Sequence, residues 1–574
     1  MSSATHLTDS LTVLRTDVLI VGGGPVGLFT AYQLGMLGMN TILVERNHFT
    51  TKFPKMDLTH ERTMEIYRKA GLASLLRSSG VPVTHGFNEI YATGLGGDGY
   101  HMAQIEGLSP KHKEKEENKL NDGSVPLELP LRLSGIVYER VLKSAVERLP
   151  NVYVYWGHKF EALEETEDCV YSTIVDPSDK RIVIKSRYVI GCDGAGSRIR
   201  GAVGIKHKKK GCKPLNMLLI HFISNDAAKI SKHGEFWHLY IGNGAVVINQ
   251  DGKNTFTMQI PVTPRNNFEE GDNVEEFINK KLGGWGQPSD IKVDEVCVIS
   301  RWEAAVALAD SFRSANGRVF LCGDSAHRLT PAGGHGLNSG INNVFNLTWK
   351  LAANVHGWGG ETLLESYSKE RRSAAELNID MVRKAMAEIV IPRFGSIERD
   401  EQEKLVADSE EGREARRLMA EKFMLGDWLH KQLGITLGHR YRDTPVIISD
   451  TSSAEPRQSV ADYIPSTWPG ARAPHVVLND GQTSILDLCG PSFTIVDFTT
   501  SGEQADEFCA AAEELQVPLK RLHLPDETHC RMIWERDVVL VRPDLFVAWR
   551  SSSCGVTEEK VKAEDILLKV VGKA

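Results

Sequence analysis

The segment from Thr16 to Glu45 constrains this chain more than any other. Thr16 to Val21 is an apolar strand pattern ending in Gly22-Gly23-Gly24-Pro25-Val26-Gly27. Leu28 to Leu37 follows with helical character, and Thr41 to Val44 reads as a second strand that delivers Glu45. Strand, glycine turn, helix, strand and acid in this order predict a βαβ unit that holds a dinucleotide. Gly22 permits the tight turn, Gly24 lets backbone approach a pyrophosphate, and Gly27 lets helix pack on strand. The helix opening at Pro25 and Val26 turns its unpaired N–H groups and positive end toward the phosphates, and Glu45 is placed to accept hydrogen bonds from ribose hydroxyls.

Two further glycine-and-acid turns follow. Arg187 to Arg200 reads RYVIGCDGAGSRIR, a strand running into Asp193-Gly194 with Ser197 and Arg200 opening the next segment. Val319 to Asn338 reads VFLCGDSAHRLTPAGGHGLN, a strand stopping at Gly323-Asp324. There a carboxylate can hold ribityl or ribose hydroxyls, while Gly333, Gly334 and Gly336 let backbone lie against a flat ring.

At 574 residues the chain is too long for one core. A net charge of -8 gives no broad polyanion-binding surface, so nucleic acid is excluded as a first reading. Met1 to Arg15 lacks the apolar core of a signal peptide, and no apolar run approaches the roughly 18 residues of a membrane span, which predicts a soluble, cytoplasmic protein without membrane contact. The 9 cysteines form no C-x-x-C pair and no metal-ligand spacing, so they read as reduced packing residues and no metal is expected. The charge runs Lys111 to Lys119 and Lys206 to Lys210 read as solvated loops, the second with an alternative role in attracting NADPH phosphates.

Alternating strand and helix patterns over 1–210 predict the first part of a nucleotide domain. Over 211–305, short β-rich segments between Gly, Asn and Asp turns predict an inserted sheet. The nucleotide features return over 306–442 together with a helical segment. Residues 443–474, rich in Pro, Ser and Thr, read as a linker, and 475–574 as a third α/β domain.

The GxGxxG, DG and GD motifs, in this order, resemble those of the group A flavoprotein aromatic hydroxylases. Arg62-Thr63-Met64-Glu65-Ile66, Asn346-Leu347-Thr348-Trp349-Lys350-Leu351 and Pro469 to His475 are similar to the phenol 2-monooxygenase and 2,4-dichlorophenol 6-monooxygenase branch. The resemblance covers nearly the whole chain. It implies a Rossmann-type, p-hydroxybenzoate hydroxylase-like FAD domain, an inserted β-sheet substrate domain and a thioredoxin-like C-terminal domain without redox cysteines. It further implies bound FAD, NADPH or NADH as a transient co-substrate, dioxygen, and a homodimer. By the same resemblance Glu45 and Arg46 hold the adenosine ribose, Arg62 approaches the pyrophosphate, and Asp324 binds the ribityl chain. Pro331 and the Gly334, Gly336, Leu337 and Asn338 stretch line the isoalloxazine ring, while Asp193, Gly194 and Arg200 serve FAD and the nicotinamide donor. Two departures stand out: Leu133 to Glu139 lacks a glutamine common in relatives, and Asn342-Asn343 stands where they often carry Asp.

The chemistry this implies is hydroxylation of a phenolic or polyketide-like aromatic through a flavin C4a-hydroperoxide. Baeyer–Villiger insertion or epoxidation is the alternative, and a non-catalytic FAD-binding protein a remote one. A deprotonated phenol is the better nucleophile, so a base is expected near its hydroxyl. Asp57 is the candidate, because its spacing ahead of Arg62-Thr63 resembles that of the pocket aspartate of phenol hydroxylases, with His60 second. An ordinary Asp near pKa 3.9 and a phenol near 10 leave a gap of about 8 kcal/mol for complete proton transfer, so either burial raises the Asp or a hydrogen bond polarises the phenol without full transfer. The alternative reading makes Asp57 a cap for a helix starting near Leu58. From the inserted sheet, Tyr240, His221, His238, Gln250 and Gln259 are candidates to reach the substrate, and strand alternation puts only half of them on one face. Thr257 stands where relatives place a pocket tyrosine.

Overall fold

Five parallel strands of the first unit pack side by side: Val152–Trp156, Thr41–Glu45, Val13–Val21, Arg181–Gly191 and Val319–Leu321. Antiparallel Val170–Val175 and Lys159–Glu165 complete a seven-stranded sheet. The strand centre is apolar without alternation, Val18, Leu19 and Ile20 being fully buried, because helices cover it. Pro25–Met36 and His335–Val355 supply much of that cover through Leu28, Phe29, Ile341 and Val344. The computed structural model describes residues 13–97, 99–117, 120–209, 211, 214–263, 267–390, 397–424, 431–552 and 561–574. Cys212, Cys554, Lys119 and Lys210 lie outside the described residues.

The second seven-stranded sheet runs Glu295–Ala304, Leu215–Ile223, Thr255–Pro261, Val246–Asn249, His238–Ile241, Glu89–Ala92, His101–Ile105. Its last two strands come from well upstream of the segment read as the insertion, and Glu89–Ala92 joins by a parallel pairing with His238–Ile241. Side chains alternate along most of its length, with irregularities at His221/Phe222 and Tyr91/Ala92. Leu218, Ile220, Met258, Ile260 and Leu239 pack on helix Val274–Leu282, whereas Leu219, Thr257, Gln259, His238, Tyr240 and Glu89 face a large cavity.

In the C-terminal part the sheet order is Leu519–His523, Phe493–Asp497, Val538–Val541, Val547–Arg550, with the first pair parallel and the rest antiparallel. Residues 443–474, read as a linker from their composition, pack closely: Ser466, Thr467 and Arg472 are buried, and Ser466 donates to Glu535 at 2.9 Å. The Lys111 run, read as a loop, lies largely in helix Pro110–Glu117. The second run forms strand His207–Lys209, and Lys208 pairs with Asp310. No helix among the described residues is long and apolar enough to cross a membrane.

Buried charge ties the C-terminal part to the first unit. Arg542 reaches both oxygens of Glu370 at 2.9 Å and also pairs with Asp544. Lys350, Asn346 and Thr444 donate to the same Glu370 carboxylate. Beside them Glu65 pairs with Arg472 and Arg62. Burial opposes ionisation of Glu370, but Arg542 and Lys350 outweigh it and hold the carboxyl well below its usual range. Truncating one member strands the others without a counter-charge, so Glu370→Ala is expected to cost about 3–5 kcal/mol of stability, measured by urea unfolding, and Glu370→Gln less.

Candidate active site

Three turns converge at one edge of the first sheet because their strands end in register. Cys192 N–H donates to Val21 O at 2.8 Å and Cys322 N–H to Gly191 O at 3.0 Å. This sets the Gly22, Asp193 and Asp324 turns side by side. Gly22 has φ +111, and a Cβ there would lie 2.4 Å from Cys192 O; one at Gly27 would lie 1.9 Å from Gly22 O. At Gly24 a Cβ meets nothing within 4 Å, because this glycine looks into the cavity. Helix Pro25–Met36 carries no side-chain cap and no acidic residue in its first turn, so its positive end is open to an anion.

The acids of these turns are poised around the same space. Glu45 accepts from Gly23 N–H at 2.7 Å and Asn47 N–H at 2.8 Å. Asp193 Oδ2 accepts from Arg198 and Ile199 N–H, while Oδ1 is buried without a hydrogen-bond partner. Asp324 opens into the cavity; loss of bulk water there pushes its carboxyl up, against Lys55 and Arg328. Asn343, one of the two asparagines noted above, holds this turn by accepting from Gly323 N–H at 3.2 Å. Pro331, Gly334, Gly336 and Leu337 line the wall opposite the second sheet, as do Arg46 and Gly194 elsewhere.

Arg62, Arg200 and Asn338 depart from their expected placement and do not line the cavity. Arg62 is turned into the buried cluster, donating to Asp544 O at 2.7 Å. Arg200 braces the turns by donating to Ser325 O and Ala195 O. The Asn338 side chain is spent on Leu58 O, Gly334 O and His60 N–H. In each case a nearer acceptor, or for Asn338 also a donor, in the protein draws the side chain away from the cavity.

The cavity measures about 2140 Å³, beyond the roughly 300–1,000 Å³ of a single small-ligand site, so an extended nucleotide and a second molecule fit together. Its far wall is the second sheet, apolar at Leu215, Met217, Leu219, Val246 and Ile248 and polar at one end. At that end Trp237 Nε1–H donates to Asp57 Oδ2 at 2.5 Å. His238 stands between two carboxylates, Nε2 being 3.6 Å from Asp57 Oδ2 and Nδ1 3.6 Å from Glu89 Oε1. Tyr240 and Tyr91 hydroxyls donate to Glu89 at 3.1 and 2.9 Å, and their rings stack 4.7 Å apart. His238 Nε2 and Gln250 Oε1 are buried in this wall without a hydrogen-bond partner.

The surroundings of Asp57 do not lift its carboxyl toward a phenol. Burial raises its carboxyl, but His238, then Trp237 and Arg132, bring it below the ordinary value. Asp57 caps no helix either: Leu58–Thr59 pairs with Leu131–Arg132 as strand, and the helix begins at Glu61. His60, the second candidate, donates through Nε2 to Gly333 O at 2.9 Å, and burial depresses its pKa to about 4, so it braces the glycine turn. His221 is absent from the cavity wall and bonds Thr257 Oγ1 at 3.0 Å, whereas Tyr240, Gln250, Gln259 and Thr257 are on it. Glu89 and Trp237 went unrecognised in the sequence; the alternations Glu89-Ile90-Tyr91 and His238-Leu239-Tyr240 were the available signal.

Burial disfavours the His238 cation, yet Asp57 and Glu89 outweigh it and raise its pKa from 6.5 to about 9. A group raised on folding stabilises fully below its unfolded pKa and loses that effect as pH rises through the folded one. Thermal unfolding is therefore expected to show the wild type exceeding His238→Asn most below pH 6.5, with the gap closing toward pH 9.

Residues 15–382 match the family described as FAD binding domain, and residues 466–574 the family described as aromatic-ring hydroxylase, C-terminal. The FAD-dependent monooxygenase apdD of Emericella nidulans is 36% identical across 94% of this chain and 88% of its own length. The FAD-dependent monooxygenase opdD of Penicillium oxalicum is 34% identical across 90% of this chain and 99% of its own. Among solved structures, the flavin-dependent monooxygenase PieE in complex with FAD and substrate superposes with a TM-score of 0.85 at 27% identity, covering 98% of this chain and 100% of PieE. The chain thus belongs to the FAD-dependent monooxygenases that combine this FAD binding domain with an aromatic-ring hydroxylase C-terminal part.

Proposed function

We propose that this protein hydroxylates a phenolic or polyketide-like aromatic, consuming dioxygen and NADPH or NADH at bound FAD. The observation that carries the reading is the single cavity in which a nucleotide wall of three turns faces a sheet wall that is apolar except at one polar end. The residues present fit FAD. Gly24 leaves room for a pyrophosphate at an uncapped helix start, the orphaned Asp193 Oδ1 and the open Asp324 can accept hydroxyls, and the left-handed Gly333 and Gly334 present backbone to a flat ring. Glu45 and Arg46 would hold the adenosine ribose.

Once reduced, the flavin supplies activated oxygen for transfer to carbon. The protein's own part is orientation and exclusion of water. Leu219, Val246, Ile248 and Trp302 give an aromatic ring an apolar bed. Asp57 and Gln250 offer acceptors to its hydroxyl end, and Asp57 stays ionised beside His238 and Arg132.

The C-terminal sheet, with its parallel pair followed by an antiparallel hairpin, supports a thioredoxin-like unit. Its described cysteines, Cys489, Cys509 and Cys530, are spaced too far apart in sequence for a redox motif, so a structural role and a homodimer are proposed for it.

The decisive measurement is product analysis with labelled dioxygen over a panel of phenols and polyketides, with NADPH and NADH compared. One labelled oxygen on a ring carbon, with ligand-stimulated nicotinamide oxidation, is the expected result; ring-expanded or epoxide products would replace hydroxylation by another oxygen insertion. Asp57→Asn is expected to retain FAD and lose at least about tenfold in hydroxylation. Gly27→Ala, whose Cβ would lie 1.9 Å from Gly22 O, is expected to purify without flavin absorbance.

A further inference from the structure

The sheet wall of the cavity carries a hydrogen-bonding side chain where packing alone gives no reason for one. Strand pairing sets Tyr240, Val246, Gln259, Leu219 and Ser300 in a row, each the register partner of the next, and all of them line the cavity. Neighbouring strands lie about 4.8 Å apart, so Gln259 stands about 10 Å from Tyr240 and as far again from Ser300. Its direct neighbours in the row are the aliphatic Val246 and Leu219. His238, beside Asp57 at the polar end, is two strands across and two residues along from Gln259, a backbone separation of about 12 Å.

The state of this glutamine differs from that of its polar neighbours. Tyr240 gives its hydroxyl to Glu89, and Thr257, two residues before Gln259, is bonded to His221. The Gln259 side chain is only half-buried, no protein group bonds its amide, and both the amide nitrogen and the oxygen are open to the cavity. An amide in the middle of an apolar bed is a liability beneath a purely hydrocarbon ligand, which would strip water from a donor and an acceptor and return no hydrogen bond. Leucine there would simply complete the bed. Glutamine instead favours a ligand that brings an oxygen to this point and disfavours one that does not.

We propose that Gln259 sets substrate specificity by hydrogen-bonding, through its amide, a second oxygen of the substrate remote from the hydroxyl held at Asp57. This deepens the hydroxylase reading above and rests on it. The substrate class that follows is a phenol of two or more rings, fused or linked, with a carbonyl or hydroxyl oxygen at the end away from Asp57. A plain one-ring phenol held at Asp57 stops short of Gln259 and has no oxygen to offer it. A longer ring system lies across Ile248 and Val246 and reaches the amide. One longer still meets Ser300 at the end of the row, whose hydroxyl is also without a protein partner.

The test uses the FAD-loaded protein and a matched pair of ligands, 4-hydroxybiphenyl and 4,4′-dihydroxybiphenyl, which differ by one remote hydroxyl. Dissociation constants are read from the change in flavin absorbance. The wild type is expected to bind the dihydroxy compound about tenfold more tightly, the effect of one net hydrogen bond. Gln259→Leu should lose that preference by weakening the dihydroxy compound alone. Gln259→Met, which keeps the length of the side chain without its amide, should do the same and decides the matter if leucine disturbs the sheet. Wild-type protein that binds the two ligands equally, or binds neither, would overturn the proposal, as would a preference that survives in either variant. Affinity is measured apart from turnover. A holoenzyme that shows the preference but no ligand-stimulated NADPH oxidation would sink the hydroxylase reading, whereas hydroxylation without the preference would sink the role of Gln259 alone.

Discussion

The architecture depends on the register of three parallel strands. Hydrogen bonds from Cys192 to Val21 and from Cys322 to Gly191 align strand ends whose turns are separated by more than a hundred residues of chain. Had the pairing slipped by one residue, each turn would present the opposite face and the acids would diverge. The glycines protect this alignment, since a side chain at Gly22 or Gly27 would strike neighbouring backbone. The helix His335–Val355 closes over the same edge, where Gly340 lets it approach Val26 closely enough that a Cβ would be 2.6 Å from Cγ2.

Much of the nucleotide wall was legible in the sequence because each part is local. A turn, the helix it opens and the acid at the next strand end are specified within a few dozen residues, and Gly22 to Val26, Glu45, Asp193 and Asp324 all line one cavity. Arg62 and Arg200 lie off the cavity wall for a different reason. A basic residue near a phosphate motif is credible in sequence, but Arg62 meets Glu65 and the Asp544 carbonyl, far along the chain, and Arg200 meets the Ser325 and Ala195 carbonyls. A long basic side chain goes to the nearest acceptor, charged or backbone, and that acceptor is set by tertiary packing.

The polar end of the cavity was least legible. Glu89 belongs to a strand that reads like part of the first unit, yet it joins the second sheet through a parallel pairing with His238–Ile241. No pattern within either strand announces the other. Asp57 lies on the cavity wall, where burial would raise its carboxyl but a neighbouring imidazole, identifiable only from the pairing, lowers it. His221 shows the limit of alternation. It shares a face with Leu219 and still lies past the end of the cavity, bonded to Thr257.

The buried Arg542 and Arg472 bear on how the protein is made. Both belong to the last part of the chain, while their carboxylates, Glu370 and Glu65, sit on helices that back the flavin edge. As the chain leaves the ribosome, these acids emerge with a single counter-ion each, Lys350 for Glu370 and Arg62 for Glu65. Their second partners arrive only with the final strands, so the charge balance behind the dinucleotide cradle is completed last.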